Sequence, residues 1–337
     1  MNQTIDIISG ASASCEADEA QDLASDIEVR QVAVTVDLHG DRLDRALVAL
    51  VPEFSRSYLQ QLIEIGLVKL NSCTTTKAAT RVKAADMLEI ELRPTPQSQS
   101  FKPQSMALDF VYEDPHLCVI NKPAGLVVHP APGNWSGTLL NGLLAHDPHC
   151  ALVPRAGIVH RLDKDTSGLM VVARTRQAMD ALVHKIAARE VSRQYLALAH
   201  QPWKGAPVVT VDAAVGRDPR NRLRMAVVDL KHEAGKTAKT DVYLLANHPE
   251  GCWVRCHLHT GRTHQIRVHM AHIGHPLVAD SVYGGQVDHS LQRQALHAFR
   301  LAFTHPISGK ALDFQVPPPD DFMRLLNTWG FSYNLDS

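Results

Sequence analysis

A chain of 337 residues, 45% apolar and 20% charged, is long enough for one or two domains with real cores and has the make-up of a globular protein. No stretch approaches the ~18 apolar residues that a bilayer span requires, and the N-terminus lacks the basic start and apolar run of a secretory signal, so a cytoplasmic, non-membrane protein is expected. The net charge of −1 argues against a nucleic-acid binder until its distribution is read: residues 1–30 hold seven acids and one base, −6, which leaves +5 for the rest.

Residues 1–30, rich in Ser, Ala and acids without a sustained hydrophobic period, are expected to form a disordered tail. A compact module is expected over 31–92. Leu43, Ala46, Leu47 and Leu50 recur at helical spacing. Ser55 can cap a second helix with Leu59, Leu62 and Ile63 on its apolar face, and Gly66 stops it. Val68 and Leu70, then Leu88, Ile90 and Leu92, alternate with polar neighbours as short strands do. Residues 93–106, with Pro94 and Pro96 among polar neighbours, read as a linker. A larger domain follows over 107–330. Its strand candidates are 117–120, 169–173, 195–199, 208–211, 242–245 and 253–258; its helix candidates are 139–145 and 176–189. Strands and helices mix without a βαβ period, which predicts an α+β fold.

Six cysteines (15, 73, 118, 150, 252 and 256) show no framework spacing, and free thiols are expected. Cys252, Cys256, His257, His259, His264, His269, His272 and His275 invite a metal reading, but a single Cys-x₃-Cys lacks a matching pair, and no metal is expected. Cys252 and Cys256 read instead as small buried residues of one strand face.

The chemistry concentrates in Arg155-Ala156-Gly157-Ile158-Val159-His160-Arg161-Leu162-Asp163-Lys164-Asp165-Thr166-Ser167-Gly168-Leu169-Met170-Val171-Val172-Ala173. Seven polar or charged side chains stand between two apolar runs, and a loop held by buried strands fixes reactive groups well. The chain has no Gly-x-x-x-x-Gly-Lys phosphate loop and no Gly-x-Ser-x-Gly elbow. A carboxylate beside cations is therefore the available nucleophile or base. Asp163 and Asp165 would repel if both were ionised in one pocket, so one is expected to face the pocket and the other to serve structure or solvent.

This stretch resembles the His-Arg-Leu-Asp signature of the RluA family of pseudouridine synthases. Asn121-Lys122-Pro123-Ala124-Gly125-Leu126-Val127-Val128-His129, Ser192-Arg193-Gln194-Tyr195-Leu196-Ala197 and Gly261-Arg262-Thr263-His264-Gln265-Ile266-Arg267-Val268-His269 are similar to further motifs of that family, in order. The resemblance covers about residues 35 to 325. It implies that Asp163 is the catalytic carboxylate, that Arg161 displaces the target base, that Tyr195 is the stacking aromatic and that Arg267 pairs with the carboxylate. His264 would help to shape the pocket by hydrogen bonding. Residues 40–47, 55–63 and 66–71 resemble the S4 RNA-binding module, with Arg42, Arg45, Arg56 and Lys69 as phosphate-directed donors and Asn71-Ser72-Cys73 where such modules have Asn-Gly. Arg217, Arg220 and Arg222, in a turn that also holds Arg224, read as an RNA-facing loop.

The implied architecture is a small S4-like (α-L) domain plus a larger catalytic domain on a mixed, mainly antiparallel sheet flanked by helices and loops. The long form of the signature points to the RluD-like branch, which acts on 23S ribosomal RNA at helix 69. The implied reaction gains and loses no atoms, so no cofactor and no nucleotide are expected; the expected partner is 23S RNA or the large ribosomal subunit, and a monomer is expected. Asp163 would act as a covalent nucleophile on the ribose or by removing a ribose proton; the residues do not choose between these routes. Two other readings stand beside this one: an RNA-binding assembly factor, and a base hydrolase, which would normally need a second carboxylate across the bond.

Overall fold

The computed structural model describes residues 28–52, 54–92, 98–131, 133–221, 224–287 and 291–333. The chain divides into two compact units, Met1–Gln99 and Ser100–Ser337.

The first unit is a four-stranded antiparallel sheet with two helices. Its elements are β1 (Glu28–Ala33), α1 (Leu43–Leu50), α2 (Arg56–Glu64), β2 (Val68–Leu70), β3 (Cys73–Thr74) and β4 (Met87–Leu92), with sheet order β1-β4-β2-β3. Leu43, Ala46, Leu47, Leu59, Leu62 and Ile63 bury one face of each helix against Leu88 and Ile90. Ser55 caps α2 by accepting from Tyr58 N at 3.3 Å. Asn71 and Ser72, both at positive φ, make the two-residue turn between β2 and β3, so a serine occupies the position where Gly is usual. The tail expected over 1–30 is corrected at its end: Glu28, Val29 and Arg30 pair with Leu92, Glu91 and Ile90, which supply the ladder partners that local composition does not reveal. The remainder of that tail, 1–27, lies outside the described residues.

The second unit is built on a nine-stranded sheet. Its elements are β5 (Asp109–Glu113), β6 (Leu117–Lys122), α3 (Leu139–His146), β7 (Ser167–Ala173), α4 (Arg176–Ala187), β8 (Ser192–His200), β9 (Val208–Asp212), β10 (Val215–Arg217), β11 (Met225–Val227), β12 (Gly235–Lys236), β13 (Lys239–His248), β14 (Gly251–Leu258), α5 (Gln265–His272), β15 (Leu296–Thr304), β16 (Ala311–Gln315) and α6 (Asp320–Thr328). The order is β5-β6-β7-β15-β8-β14-β13-β9, with β16 on β15, while β10 to β12 form a separate small sheet. Every pairing in the large sheet is antiparallel except β15 with β7, which meet in parallel at His297↔Ser167 and Ala298↔Gly168. This is the mixed, mainly antiparallel α+β architecture expected from the sequence.

The sheet centre is covered on both faces. Ile120, Met170, Val172, Ala197, Val254 and Cys256 pack with α3 on one side, and Leu117, Val119, Leu169, Val171 and Ala173 pack with α4 on the other. That double burial is why 169–173 reads as an unbroken apolar run rather than an alternating one. Two positions depart from expectation. The expected linker 93–106 reaches into the second unit, where Asn141 Nδ2 donates to the carbonyls of Ser100 and Lys102 at 3.0 and 2.8 Å. Helix α4 ends at Ala187 rather than 189, because Arg189 turns left-handed at φ 65. No helix among the described residues is long and apolar enough to cross a membrane.

Candidate active site

The motif loop leaves and rejoins the sheet through two glycines. Gly157 has φ 78, and a Cβ there would stand 1.7 Å from the Ala173 carbonyl oxygen; Gly168 has φ 113, and a Cβ there would stand 2.2 Å from the Ala298 carbonyl oxygen. Only glycine permits either approach. Just before the first of them, Arg155 and Ala156 are also left-handed, a conformation that costs an L-residue roughly 1–2 kcal/mol. Ile158 then bridges to Val172 of β7, and the His160 ring accepts from Val171 N at 3.1 Å, satisfying an edge amide that would otherwise be orphaned. Burial holds this histidine's pKa near 3, with Arg193 adding to the effect, so the ring is neutral and able to accept.

The far limb of the loop is pinned residue by residue. The Lys164 carbonyl accepts from Gly125 N at 2.9 Å and from Lys122 Nζ at 3.0 Å; the Asp165 carbonyl accepts from Arg293 Nη1 at 3.0 Å. Thr166 Oγ1 accepts from Gln294 Nε2 at 3.2 Å, and Ser167 Oγ meets His297 Nδ1 at 2.9 Å. Asp163 therefore stands at the tip of a loop with little freedom.

Its carboxylate meets Arg267, on α5. Arg267 Nη1 donates to Asp163 Oδ2 at 3.1 Å, while Nε and Nη2 donate to Asp280 at 2.7 and 2.9 Å. Asp280 and Arg267 are almost fully buried, whereas the Asp163 side chain keeps 16% of its surface exposed. Burial would lower the guanidinium's pKa, but the hydrogen bonds and charge of Asp280, and then of Asp163, raise it well above its ordinary value. Asp280 thus fixes the fork, and one donor remains for Asp163. His264 caps α5 in a left-handed conformation, with Nδ1 2.8 Å from Tyr283 Oη and Nε2 3.8 Å from Asp163 Oδ1. Burial holds its pKa below the ordinary value against the pull of Asp163. The Arg267 guanidinium also lies over the Tyr283 ring, 5.0 Å from its centroid.

These groups open into a cavity of about 580 Å³, within the roughly 300–1,000 Å³ of pockets that take small organic molecules. Six arginines (155, 161, 189, 193, 262 and 267) line it, against one carboxylate, Asp163. Tyr195 forms part of the wall, and burial pushes its phenol up to about 12, so it stays neutral. Arg161 is exposed on the rim of the same loop. The structure therefore brings Asp163, Arg161, Tyr195, His264 and Arg267 together, from segments up to 106 residues apart. Asp165 does not line this cavity; its charge acts on Lys122 instead. Lys122 is fully buried, with Nζ donating to the carbonyls of Pro123, Leu126 and Lys164.

The other candidates stand apart from this cavity. In the first unit, Arg42 and Arg56 converge on the fully buried Asp44, which accepts from Arg42 Nε at 3.0 Å, Arg56 Nη2 at 2.6 Å and Gln60 Nε2 at 2.8 Å. Lys69 pairs with Glu89 at 2.7 Å, and Arg45 is exposed on α1. Arg217 ends β10 and Arg220 stands in the turn after it, both exposed, in a loop tied by Arg224 Nε to Asp218 at 2.6 Å; Arg222 lies outside the described residues. Of the histidine and cysteine cluster, His257 and His259 meet Asp241 with ligand atoms within 4.8 Å of one another, and these three could hold a divalent cation. They already bond within the protein, Asp241 to His259 Nε2 at 2.6 Å and to Thr210 Oγ1 at 2.7 Å. Cys252 and Cys256 are buried on one face of β14, and the five described cysteines are free. Sequence reasoning missed Asp280, the anchor of Arg267. Its signal is faint: one acid after the apolar residues Leu277, Val278 and Ala279.

Residues 116–272 match the family model described as RNA pseudouridylate synthase. The chain is similar to ribosomal large subunit pseudouridine synthase D of Neisseria meningitidis serogroup A, 46% identical over 328 residues, covering 93% of this chain and 86% of the relative. It is likewise similar to the enzyme of that name from Xanthomonas campestris, 44% identical over 317 residues, covering 90% and 93%. Among solved structures it resembles human RNA pseudouridylate synthase domain containing 1, with a TM-score of 0.50, 29% identity, and coverage of 65% of this chain and 86% of that one.

Proposed function

This chain belongs to the RluA family and is an RNA pseudouridine synthase, and from that premise we propose that it isomerises uridines of 23S ribosomal RNA, in helix 69, with Asp163 acting at the ribose. The observation that carries the residue assignment is the line Asp163–Arg267–Asp280 in a cavity otherwise walled by arginines. Breaking the bond from ribose C1′ to uracil N1 develops positive charge on the sugar, and a fixed carboxylate stabilises or captures it. Arg267 Nη1 donates to Asp163 Oδ2 and holds the carboxylate in place. The target uridine must leave its stack to reach this depth. Arg161 takes the vacated place or meets a phosphate, and Tyr195 packs on the extruded ring, a contact worth roughly 1–3 kcal/mol in comparable base–aromatic pairs. Base rotation then presents C5 to C1′, the new bond forms, C5 loses its proton and N1 gains one. The positive cavity wall suits a polyanion.

The first unit supports a second contact. Asp44 holds both Arg42 and Arg56, whose side chains stay partly exposed, a two-guanidinium surface for phosphate, and Arg45 extends it. Arg217, Arg220 and Arg222 would contribute phosphate contacts from the second unit.

The test is incubation of the purified chain with 23S transcript, without nucleotide or added metal, followed by site-by-site mapping. Pseudouridine in helix 69, unchanged RNA mass and no free uracil are expected. Asp163→Asn should abolish product while RNA binding persists. Free uracil would establish a hydrolase instead, and modification by Asp163→Asn would end the assignment.

A further inference from the structure

Arg193 is a buried cation without a counter-charge. It is 6% exposed, lies on β8 and lines the cavity around Asp163. Among the described residues no carboxylate pairs with it, and its Nε finds no acceptor. Its charged neighbour is another cation, Arg262, and the nearby His160 is neutral. Burial lowers its pKa, and Arg262 adds to that. Arg174, Arg267, Arg293 and Arg300, by contrast, each hold a carboxylate. A guanidinium removed from water with nothing opposite it destabilises the free protein, and such a group is retained where a ligand supplies the missing acceptor.

The geometry indicates which acceptor. Arg193 and Tyr195 are two apart on one strand and therefore project to the same face, and both line the cavity. Its Nη1 lies against Gly261, where a Cβ would come within 2.6 Å. Arg161 is exposed on the rim, whereas Arg193 is buried in the wall of the same cavity.

We propose that Arg193 is a catalytic residue of this site: it donates to a carbonyl oxygen of the uracil and neutralises the uracil anion released when the glycosidic bond breaks. The inference rests on the pseudouridine synthase reading above. When C1′–N1 breaks, its electron pair stays on the base and is shared among N1, O2 and O4, while the sugar carbon is taken up through Asp163 by either route. Arg193 keeps its proton throughout and gives only hydrogen bonds. The charge returns to the carbon skeleton when C5 attacks C1′ and the C5 proton departs. Donors aimed at charge that develops in a water-poor site are worth ~10²–10³-fold in rate apiece.

The experiment compares full-length wild type, Arg193→Met and Arg193→Lys on 23S transcript tritiated at uridine C5. It reads single-turnover tritium release, RNA dissociation constants and melting temperature. Arg193→Met should release tritium ~10²–10³-fold more slowly, bind RNA within about threefold of wild type, and melt no lower than wild type, because an unpaired buried charge is gone. Arg193→Lys should recover part of the rate, as should guanidinium ion added to Arg193→Met. A rate within threefold of wild type would overturn the proposal. A lower melting temperature would instead make Arg193 a structural residue, and a loss confined to RNA binding, not additive with a methylphosphonate at the target nucleotide, would make it a phosphate contact. Wild type itself failing to form pseudouridine would remove the underlying reading, an outcome separate from all of these.

Discussion

The pair Arg267–Asp280 offers a sharp test of how the site is held. Asp280 takes two charge-assisted hydrogen bonds from Arg267, at 2.7 and 2.9 Å, where Asp163 takes one at 3.1 Å. Its side chain is 1% exposed, against 16% for Asp163. Asp280→Asn keeps the shape but replaces one acceptor oxygen by a donor facing a guanidinium N–H. Removing one partner of a buried ion pair costs about 3–5 kcal/mol, because the remaining charge is left uncompensated. At roughly 2–4 °C per kcal/mol for a domain of this size, the melting temperature should fall by about 10 °C. Arg267 would then be held by Asp163 alone, and a misplacement on the order of 1 Å costs ~10²-fold in rate. Single-turnover tritium release should therefore drop about a hundredfold below the variant's melting temperature, with RNA affinity little changed. Arg267→Lys should do the same, since an ammonium cannot bridge two carboxylates in a fixed plane. An Asp280→Asn protein that melts and turns over like wild type would refute the view that Asp280 orients the catalytic pair.

Other outcomes follow from the same geometry. His160 and His297 are buried, with burial the main cause of pKa values near 3 and 4. Both titrate near 6.5 when unfolded, so the stability they confer as neutral rings is complete above that pH and is lost as pH falls towards the folded values. By pH 5 each should cost about 2 kcal/mol, which a urea midpoint at pH 7 and pH 5 measures; equal midpoints would contradict it. Gly168→Ala drives a methyl into the Ala298 carbonyl at a positive φ and should lose about 3 kcal/mol or more, seen as insolubility or an early urea transition. Asp44→Asn should release Arg42 and Arg56 and weaken RNA binding about tenfold in filter assays, with wild-type turnover at saturating RNA; burial opposes ionisation of Asp44, but the hydrogen bonds from Arg42, Arg56 and Gln60 hold its carboxyl well below the usual range.

What the sequence disclosed followed the length of each physical signal. Residues 169–173 read as a strand because burial on both faces leaves no polar position, and Ser55 read as a cap because a serine before Leu59, Leu62 and Ile63 has few other uses. Helix α5 was not legible as a helix. Gln265 through Met270 are all buried, so the helical period is hidden, and its start is set by His264 in a left-handed turn that no composition rule foresees. Strand β1 was hidden for the opposite reason: Glu28, Val29 and Arg30 resemble the acidic segment before them, and only β4 makes them a strand. In the site, Asp163, Arg161, Tyr195 and Arg267 came from motif resemblance. Arg193 stood inside the Ser192–Ala197 motif without a role of its own, and Asp280 stood outside every motif, because a residue that acts by what it faces across the fold leaves no mark on its own neighbours in the chain.

The two aspartates of the motif show how the fold settles what spacing alone left open. They stand two apart, and two ionised carboxylates in one pocket would raise each other's pKa. The structure separates their counter-charges. Arg267, anchored by Asp280, serves Asp163 on the cavity side. Lys122, whose pKa burial pulls down to about 7, feels Asp165 more strongly than Asp163 and binds the intervening Lys164 carbonyl. Arg293 takes the Asp165 carbonyl as well. The cavity then presents a single acid among six arginines. That asymmetry lets one cavity do two opposed things. In the proposed reaction the arginines attract and hold a polyanion, and the one carboxylate among them, paired with its own guanidinium, would meet the part of that polyanion that becomes positive, the ribose.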